Sequence, residues 1–235
     1  MYDFYSDTKT KPSKEMLEYA LGRTFGDEQK DEDPTTLELC ERVASLLGKE
    51  SAVFLPSGTM CNEIAISVQT SPGDEILCDR TCHIINFEGG APAAMSGVMI
   101  HPLDGKYGQF TKEDVSQALR PKSRHMPISR MLCAEQTVNL GGGGVWPVEK
   151  LDSVAQVAKK SGLSTHLDGA RLLNACAKTG ISAARYSHEY DSCWIDFTKG
   201  LGAPVGAVLA GSTDFIEAAW RVKQRIGGAM RQSGV

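Results

Sequence analysis

No long apolar run is present: nothing in the 235 residues approaches the roughly 18 consecutive apolar positions a membrane span needs. Basic charge is not in excess either, with 25 Lys and Arg against 29 Asp and Glu and a formal net charge of −4. Aromatics make up only 7% of the chain and are not interleaved with clustered Lys or Arg, so nucleic acid is not an expected partner. Paired cysteines are missing as well. The seven cysteines, at positions 40, 61, 78, 82, 133, 176 and 193, include no C-x-x-C, which speaks against a disulfide framework and against a zinc site. They read as reduced, mostly buried thiols, and no metal is expected. Residues 1–16, MYDFYSDTKTKPSKEM, carry early acids and no apolar core, unlike a secretory signal, so the expected location is the cytoplasm. Internal repeats and low-complexity segments are absent.

What is present is 41% hydrophobic residues, enough for one large α/β domain or two small ones. From residue 35 almost to the end, short apolar runs alternate with amphipathic stretches, the rhythm of a mostly parallel sheet covered by helices. Seven runs predict strands: SAVFLP, DEILCD, GVMIHPL, SRMLCAEQ, LSTHLD, SCWIDFT and VGAVLAG. Five stretches predict helices: TTLELCERVASLLG, with Leu37, Val43, Leu46 and Leu47 as its apolar face, GTMCNEIAISVQ, KEDVSQALR, PVEKLDSVAQVAKKSG and TDFIEAAWRVKQRI. The expected fold is therefore a three-layer α/β/α domain on a seven-stranded, mostly parallel sheet. Residues 1–34 are polar and punctuated by Pro12, Gly22, Gly26 and Pro34, and are expected to be an arm and connecting loop; residues 35–235 form the large unit. The glycine-rich end IGGAMRQSGV suggests a chain that continues elsewhere.

Three segments could carry chemistry. In PSGTMCNEIAI a strand ends and a helix begins, so the first-turn N–H groups, with Gly58 and the hydroxyls of Ser57 and Thr59, could hold a phosphate; the alternative is a simple helix cap. In HLDGARL a strand delivers Asp168 to its C-terminal edge, where ligands of open α/β sheets bind, with Arg171 three residues on; here the alternative is a capping aspartate. In DFTKGLGAP, Lys199 closes a buried strand, and desolvation there favours the nucleophilic amine that condenses with carbonyls. Gly200, Gly202 and Pro204 stiffen that turn, which an exposed, idle lysine would not need. A phosphate cradle, an aspartate for a pyridinium nitrogen and a Schiff-base lysine are together the groups that bind pyridoxal phosphate.

The order of these segments, together with DFYSDTKTKPSKEM, FGDEQKDEDPTTLELCERVASLLGKESAVFLPSGTMCNEIAI, NFEGGAPAAMSGV, NLGGGGVWPVEKL, HLDGARLLNA, TKGLGAPVGAVLAGS and GGAMRQSGV, resembles the low-specificity L-threonine aldolases. These are pyridoxal 5'-phosphate enzymes of the aspartate-aminotransferase-like fold within the β-eliminating lyase group. The resemblance implies cleavage of L-threonine or L-allo-threonine to glycine and acetaldehyde, with another β-eliminating reaction or a weakly active cofactor-binding homologue as alternatives. It implies Lys199 as the Schiff-base lysine, Asp168 as partner of the pyridine nitrogen, and His83 as the ring-stacking histidine and a catalytic base. Ser57, Gly58 and Thr59 would hold the phosphate. Arg171 would contact the phenolic oxygen or the substrate carboxylate, Ser6 that carboxylate, and His125 the substrate hydroxyl. Arg231 would reach phosphate across a subunit interface in a homodimer or homotetramer. Glu88, in FEGG, is either a partner of His83 acting through water or a helix-terminal anion. Two departures accompany the likeness: Asn139-Leu140-Gly141-Gly142-Gly143-Gly144-Val145 lacks the family's arginine, and the family's small C-terminal domain, with its own carboxylate-binding arginine, is absent from this chain.

Overall fold

All seven apolar runs form strands, and the strands pair into one sheet. The structure, a computed structural model, describes residues 3–234; Met1, Tyr2 and Val235, at the ends of the expected arm and large unit, lie outside it. The strands are β1 (Ser51–Leu55), β2 (Asp74–Asp79), β3 (Met99–Leu103), β4 (Ile128–Glu135), β5 (Ser164–Gly169), β6 (Ser192–Asp196) and β7 (Ala207–Gly211). Across the sheet they stand in the order β1-β7-β6-β5-β4-β2-β3. The β6-β5, β5-β4, β4-β2 and β2-β3 pairs are parallel, whereas β7 is antiparallel to both of its neighbours. Every residue of β2, β6 and β7 is buried, as strands sandwiched between two helix layers must be.

The helices are α1 (Lys14–Leu21), α2 (Pro34–Leu47), α3 (Gly58–Gln69), α4 (His83–Asn86), α5 (Ala91–Ser96), α6 (Lys112–Ala118), α7 (Val148–Lys160), α8 (Leu172–Thr179), α9 (Ala183–Ser187) and α10 (Thr213–Arg225). On one face of the sheet Val43 and Leu47 of α2, Leu151 and Val154 of α7, Leu172 of α8 and Tyr186 of α9 join the main core. On the other face Cys61 and Ile64 of α3 pack with Ile216 and Val222 of α10 over β1, β6 and β7. The result is the expected α/β/α arrangement.

Two expectations need correction. Among the described residues five helices beyond the five read from periodicity are present: α4, α5 and α9 are too short to display a helical period, α8 follows Arg171, which gives it no side-chain cap, and α1 buries no residue at all. The arm is therefore partly helical, held by the Ser13 cap on Met16 N. The buried face of α2 is also rotated from the one predicted. Thr36, Val43, Ala44 and Leu47 are inside while Leu37 and Leu46 are exposed, because Pro34 and the Asp33 cap fix where the helix starts.

At the end of α10, Lys223 is fully buried and ion-paired with Glu28, its ammonium 4.1 Å from the Trp220 ring centroid. The other Glu28 oxygen accepts from Met230 N at 2.8 Å, and Glu28 N donates to Arg231 O at 2.8 Å. Segments 26–36 and 228–234 are thus fastened together away from the strand ends that carry the predicted chemistry.

Candidate active site

Parallel strands deliver their last residues to one edge, and here those residues are acids: Asp79 ends β2, Glu135 ends β4, Asp168 is the penultimate residue of β5 and Asp196 ends β6. Glu135 and Asp168 are register partners, as are Asp168 and Trp194. Like charges so close raise each other's pKa. Burial first, and then Asp168, pushes Glu135 up to about 7; Asp168 is itself raised, chiefly by burial.

Asn62, wholly buried on the second turn of α3, holds these groups together. Its Nδ2 donates to Asp168 Oδ2 at 2.9 Å and to Glu88 Oε1 at 2.7 Å. Its Oδ1 accepts from Trp194 Nε1 at 2.7 Å and lies 3.1 Å from His166 Nε2. Burial lowers the His166 pKa to about 3, so the ring is neutral; it donates from Nε2 to Asn62 and accepts at Nδ1 from the Ser192 hydroxyl, 2.7 Å away. All four hydrogen-bonding positions of the Asn62 amide are filled, which leaves its orientation no alternative. Asp168 Oδ1 accepts from Ala170 N at 3.1 Å.

His83 opens α4. Its Nδ1 is 2.8 Å from Glu88 Oε1 and its backbone N–H donates to Glu135 Oε2 at 3.1 Å. The Glu88 hydrogen bond favours the imidazolium and raises the His83 pKa above its ordinary value. With Nδ1 occupied, Nε2 is the ring nitrogen left for a ligand. Of the two readings of Glu88, the direct partner of His83 is the one the geometry supports, without an intervening water.

Lys199 sits on the turn after β6. Its side chain is 14% exposed, and its amine is ion-paired with Asp196 and lies 5.6 Å from the Trp194 ring centroid. The strand end is dry, as expected, but a carboxylate shares it. Gly202 N closes the turn on Lys199 O at 3.0 Å, and the Thr10 hydroxyl donates to the same carbonyl at 2.6 Å. Gly202 has φ of 77°, a left-handed conformation that favours glycine, and a Cβ there would lie 3.3 Å from Lys11 O.

Gly58 packs against the same tryptophan: a Cβ on it would fall 2.3 Å from Trp194 Cη2 and 3.2 Å from Asp196 Oδ2. Only glycine allows the first turn of α3 to come so near the lysine turn. Ser57 caps α3 by accepting from Met60 N, so its hydroxyl has the structural task that was the alternative reading. The earliest N–H groups of the helix, those of Gly58 and Thr59, have no intrahelical acceptor and are available to an anion.

Contacts thus run unbroken from Gly58 through Trp194 to Lys199, and from Trp194 through Asn62 to Asp168, Glu88 and His83. Arg171 joins from the side, with Nε 2.6 Å and Nη2 2.7 Å from the two oxygens of Asp7. This bidentate hydrogen bond lowers the Asp7 pKa and raises that of Arg171. Ser6 caps a 3-10 turn, Asp7–Lys9, and accepts from Thr8, so within this chain it orders the arm. Two predicted residues are not brought to the site. His125 is exposed in the loop before β4, where its own N–H donates to Ser123 Oγ. Arg231 is paired with Asp27 at the surface.

Sequence reasoning missed Asn62, Trp194, Asp196, Glu135 and Asp7. The spacing of Asn62, one helical turn after Gly58, and of Asp196, three residues before Lys199, were usable signals. Trp194 and Asp7 become visible only through tertiary contact. The donor set suits pyridoxal 5'-phosphate: a lysine amine, a buried carboxylate for a ring nitrogen, an imidazole and free helix N–H groups for a phosphate.

Residues 3–235 match the family model described as beta-eliminating lyase. An uncharacterized Caenorhabditis elegans protein is 40% identical over 99% of this chain and 57% of its own length. Low-specificity L-threonine aldolase 1 of Arabidopsis thaliana is 39% identical over 99% of this chain and 66% of its own. The solved structure of a Leishmania major threonine aldolase superposes with a TM-score of 0.88 over 100% of this chain and 69% of that one; at 22% identity this is a likeness of fold. The chain spans 57% and 66% of the lengths of the two relatives. It belongs to the beta-eliminating lyase family.

Proposed function

We propose that the chain is the cofactor-holding part of a pyridoxal 5'-phosphate lyase that cleaves L-threonine or L-allo-threonine to glycine and acetaldehyde. One observation carries this reading: the unbroken set of contacts joining Lys199, Asp168 and His83 at the carboxyl edge of the sheet. The name of the Arabidopsis relative supports the choice of substrate.

When bound, the cofactor supplies a carbonyl for an amine and a conjugated ring that accepts the electron pair of the broken bond. The protein's share is positional and acid–base. Lys199 would offer its amine to that carbonyl, and Asp168, fixed by Asn62, would keep a ring nitrogen protonated. His83 would lie against the ring, and the N–H groups of Gly58 and Thr59 would hold the phosphate beside Ser57. Arg171 turns from Asp7 toward the substrate carboxylate, with Ser6 close by on the same turn; pinning that group aligns the Cα–Cβ bond for cleavage. His83 Nε2 would take the β-hydroxyl proton as the Cα–Cβ bond breaks and acetaldehyde leaves, and the proton it gains balances the one that Cα takes up to give glycine.

Arg231, 61% exposed, and α1, with Leu17, Tyr19 and Leu21 exposed, suit a homodimer or homotetramer in which the arm and the phosphate-binding arginine serve a neighbouring subunit. Seven free cysteines fit a reducing, cytoplasmic location. Among the described residues no helix is long and apolar enough to cross a membrane.

The test is a visible spectrum with pyridoxal 5'-phosphate, followed by threonine and an aldehyde assay. The chain is expected to turn yellow and release acetaldehyde, and borohydride is expected to bleach it and leave the cofactor covalently attached; Lys199→Ala is expected to lose that covalent attachment and at least about a thousandfold of the rate. Release of ammonia and a keto acid instead would reassign the reaction to β-elimination.

A further inference from the structure

Among the described residues three buried carboxyl oxygens are without a hydrogen-bond partner: both oxygens of Glu63 and Oε2 of Glu88. Glu63 is 2% and Glu88 5% exposed, so water does not solvate them. Their carboxyl groups lie within hydrogen-bonding reach of each other. Glu63 follows Asn62 on α3; Asn62 donates to Glu88 Oε1, and Oε2 is the Glu88 oxygen left unpaired.

Two ionised carboxylates cannot face each other in a dry site without a large penalty, and an unpaired buried carboxylate adds several kcal/mol more. A single proton between them removes both costs. Its position follows from the neighbours: Glu88 Oε1 receives the Asn62 N–H and faces His83, whereas Glu63 has no donor to stabilise an anion. The remaining Glu63 oxygen is then an uncharged carbonyl, far cheaper to leave unpaired.

We propose that Glu63 is a neutral carboxylic acid that donates its proton to Glu88 Oε2 and so acts as a positioning residue, holding the Glu88 carboxylate in the orientation that grips His83 Nδ1. Burial, followed by the Glu88 contact, pushes the Glu63 pKa up to about 9, consistent with a proton retained at neutral pH. The consequence for His83 is geometric, because an unpinned Glu88 could rotate away from the ring. A leucine at 63 would occupy most of the space without a donor and leave the Glu88 carboxyl without its contact from Glu63. The proposal rests on reading His83 as the ring-stacking base, but its test requires neither cofactor nor threonine.

Infrared difference spectra of the purified full chain, wild type minus Glu63→Gln, are expected to contain the C=O band of a protonated carboxyl at neutral pH. In 15N spectra of the same protein the His83 Nδ1 signal is expected to shift in Glu63→Leu and to stay near its wild-type position in Glu63→Gln, whose amide can still donate to Glu88. Absence of the protonated band overturns the proposal, as does a His83 signal that ignores both substitutions. Should Glu63→Leu not fold, Glu63→Ala replaces it, and the wild-type band in the difference against Glu63→Gln decides by itself. Failure of threonine cleavage would sink the assigned reaction and leave these two readings intact.

Discussion

Two clusters of charge are buried in this molecule, and they are built on opposite principles. Around Lys223, one cation meets one anion: Glu28 spends one oxygen on the ammonium and the other on Met230 N, and nothing is left over. At the carboxyl edge of the sheet, acids outnumber bases. Glu63, Glu88, Glu135, Asp168 and Asp196 face His83 and Lys199, while Arg171 is occupied by Asp7. The first cluster is neutral and closed. The second holds surplus negative charge and carboxyl oxygens without partners, a condition that a protein tolerates where a cationic ring or a transferable proton is to be received. Their difference separates a fastening from a working site more surely than burial, which they share.

The largest effect is expected from opening the closed cluster. Glu28→Gln leaves the Lys223 ammonium buried without its counterion and should cost about 3–5 kcal/mol in urea unfolding. The double change Glu28→Leu with Lys223→Met should recover most of that, since the pair is neutral as a unit. Neither change should move the His83 signal.

Asn62→Leu breaks the open cluster at its hub. Asp168 and Glu88 lose their common donor and Trp194 Nε1 its acceptor, so about 1–3 kcal/mol of stability should be lost per stranded group, less than their sum because charges there can take up protons. Threonine cleavage should fall further than stability alone explains. If activity survives while stability drops, the hub is a fastening after all.

The smallest effect sharpens the contrast through pH. A base must be unprotonated, so cleavage should fail as pH drops through the raised His83 pKa. Glu88→Gln retains a hydrogen-bonding oxygen but removes the charge that raises it, so the acid limb of kcat should move to lower pH. The stability linkage has a matching sign. A histidine raised in the folded state adds stability below its unfolded pKa and loses it as pH rises through the folded one, so the Gln variant should show a weaker fall over that window.

The architecture was legible because β-strands sandwiched by helices must be apolar along their length, and Asp74–Asp79 and Gly58–Gln69 were read to the residue. Lys199, Asp168 and Gly58 stood out because strand-end chemistry leaves local marks, whereas His83 was named only through the family resemblance. Asn62 was not legible: an asparagine inside a helix looks like any polar residue until four partners from α3's neighbours converge on it. Asp7 escaped for a related reason, since its task depends on Arg171, 164 positions away. His125 and Arg231 were expected from resemblance, and within this chain neither reaches the site.

The inverted strand β7 has a consequence for the lysine. Joining β6 to a parallel neighbour would demand a crossover of a dozen or more residues, usually through a helix, and Lys199 would then ride on a long excursion. Because β7 runs the other way beside β6, the chain returns directly through 197–206, with Ala203 N bonded to Phe197 O and Phe197 N to Gly206 O. The turn that carries Lys199 is therefore tethered at both ends to the same pair of strands, and the reach of its amine is set by its own side chain instead of by the drift of a loop.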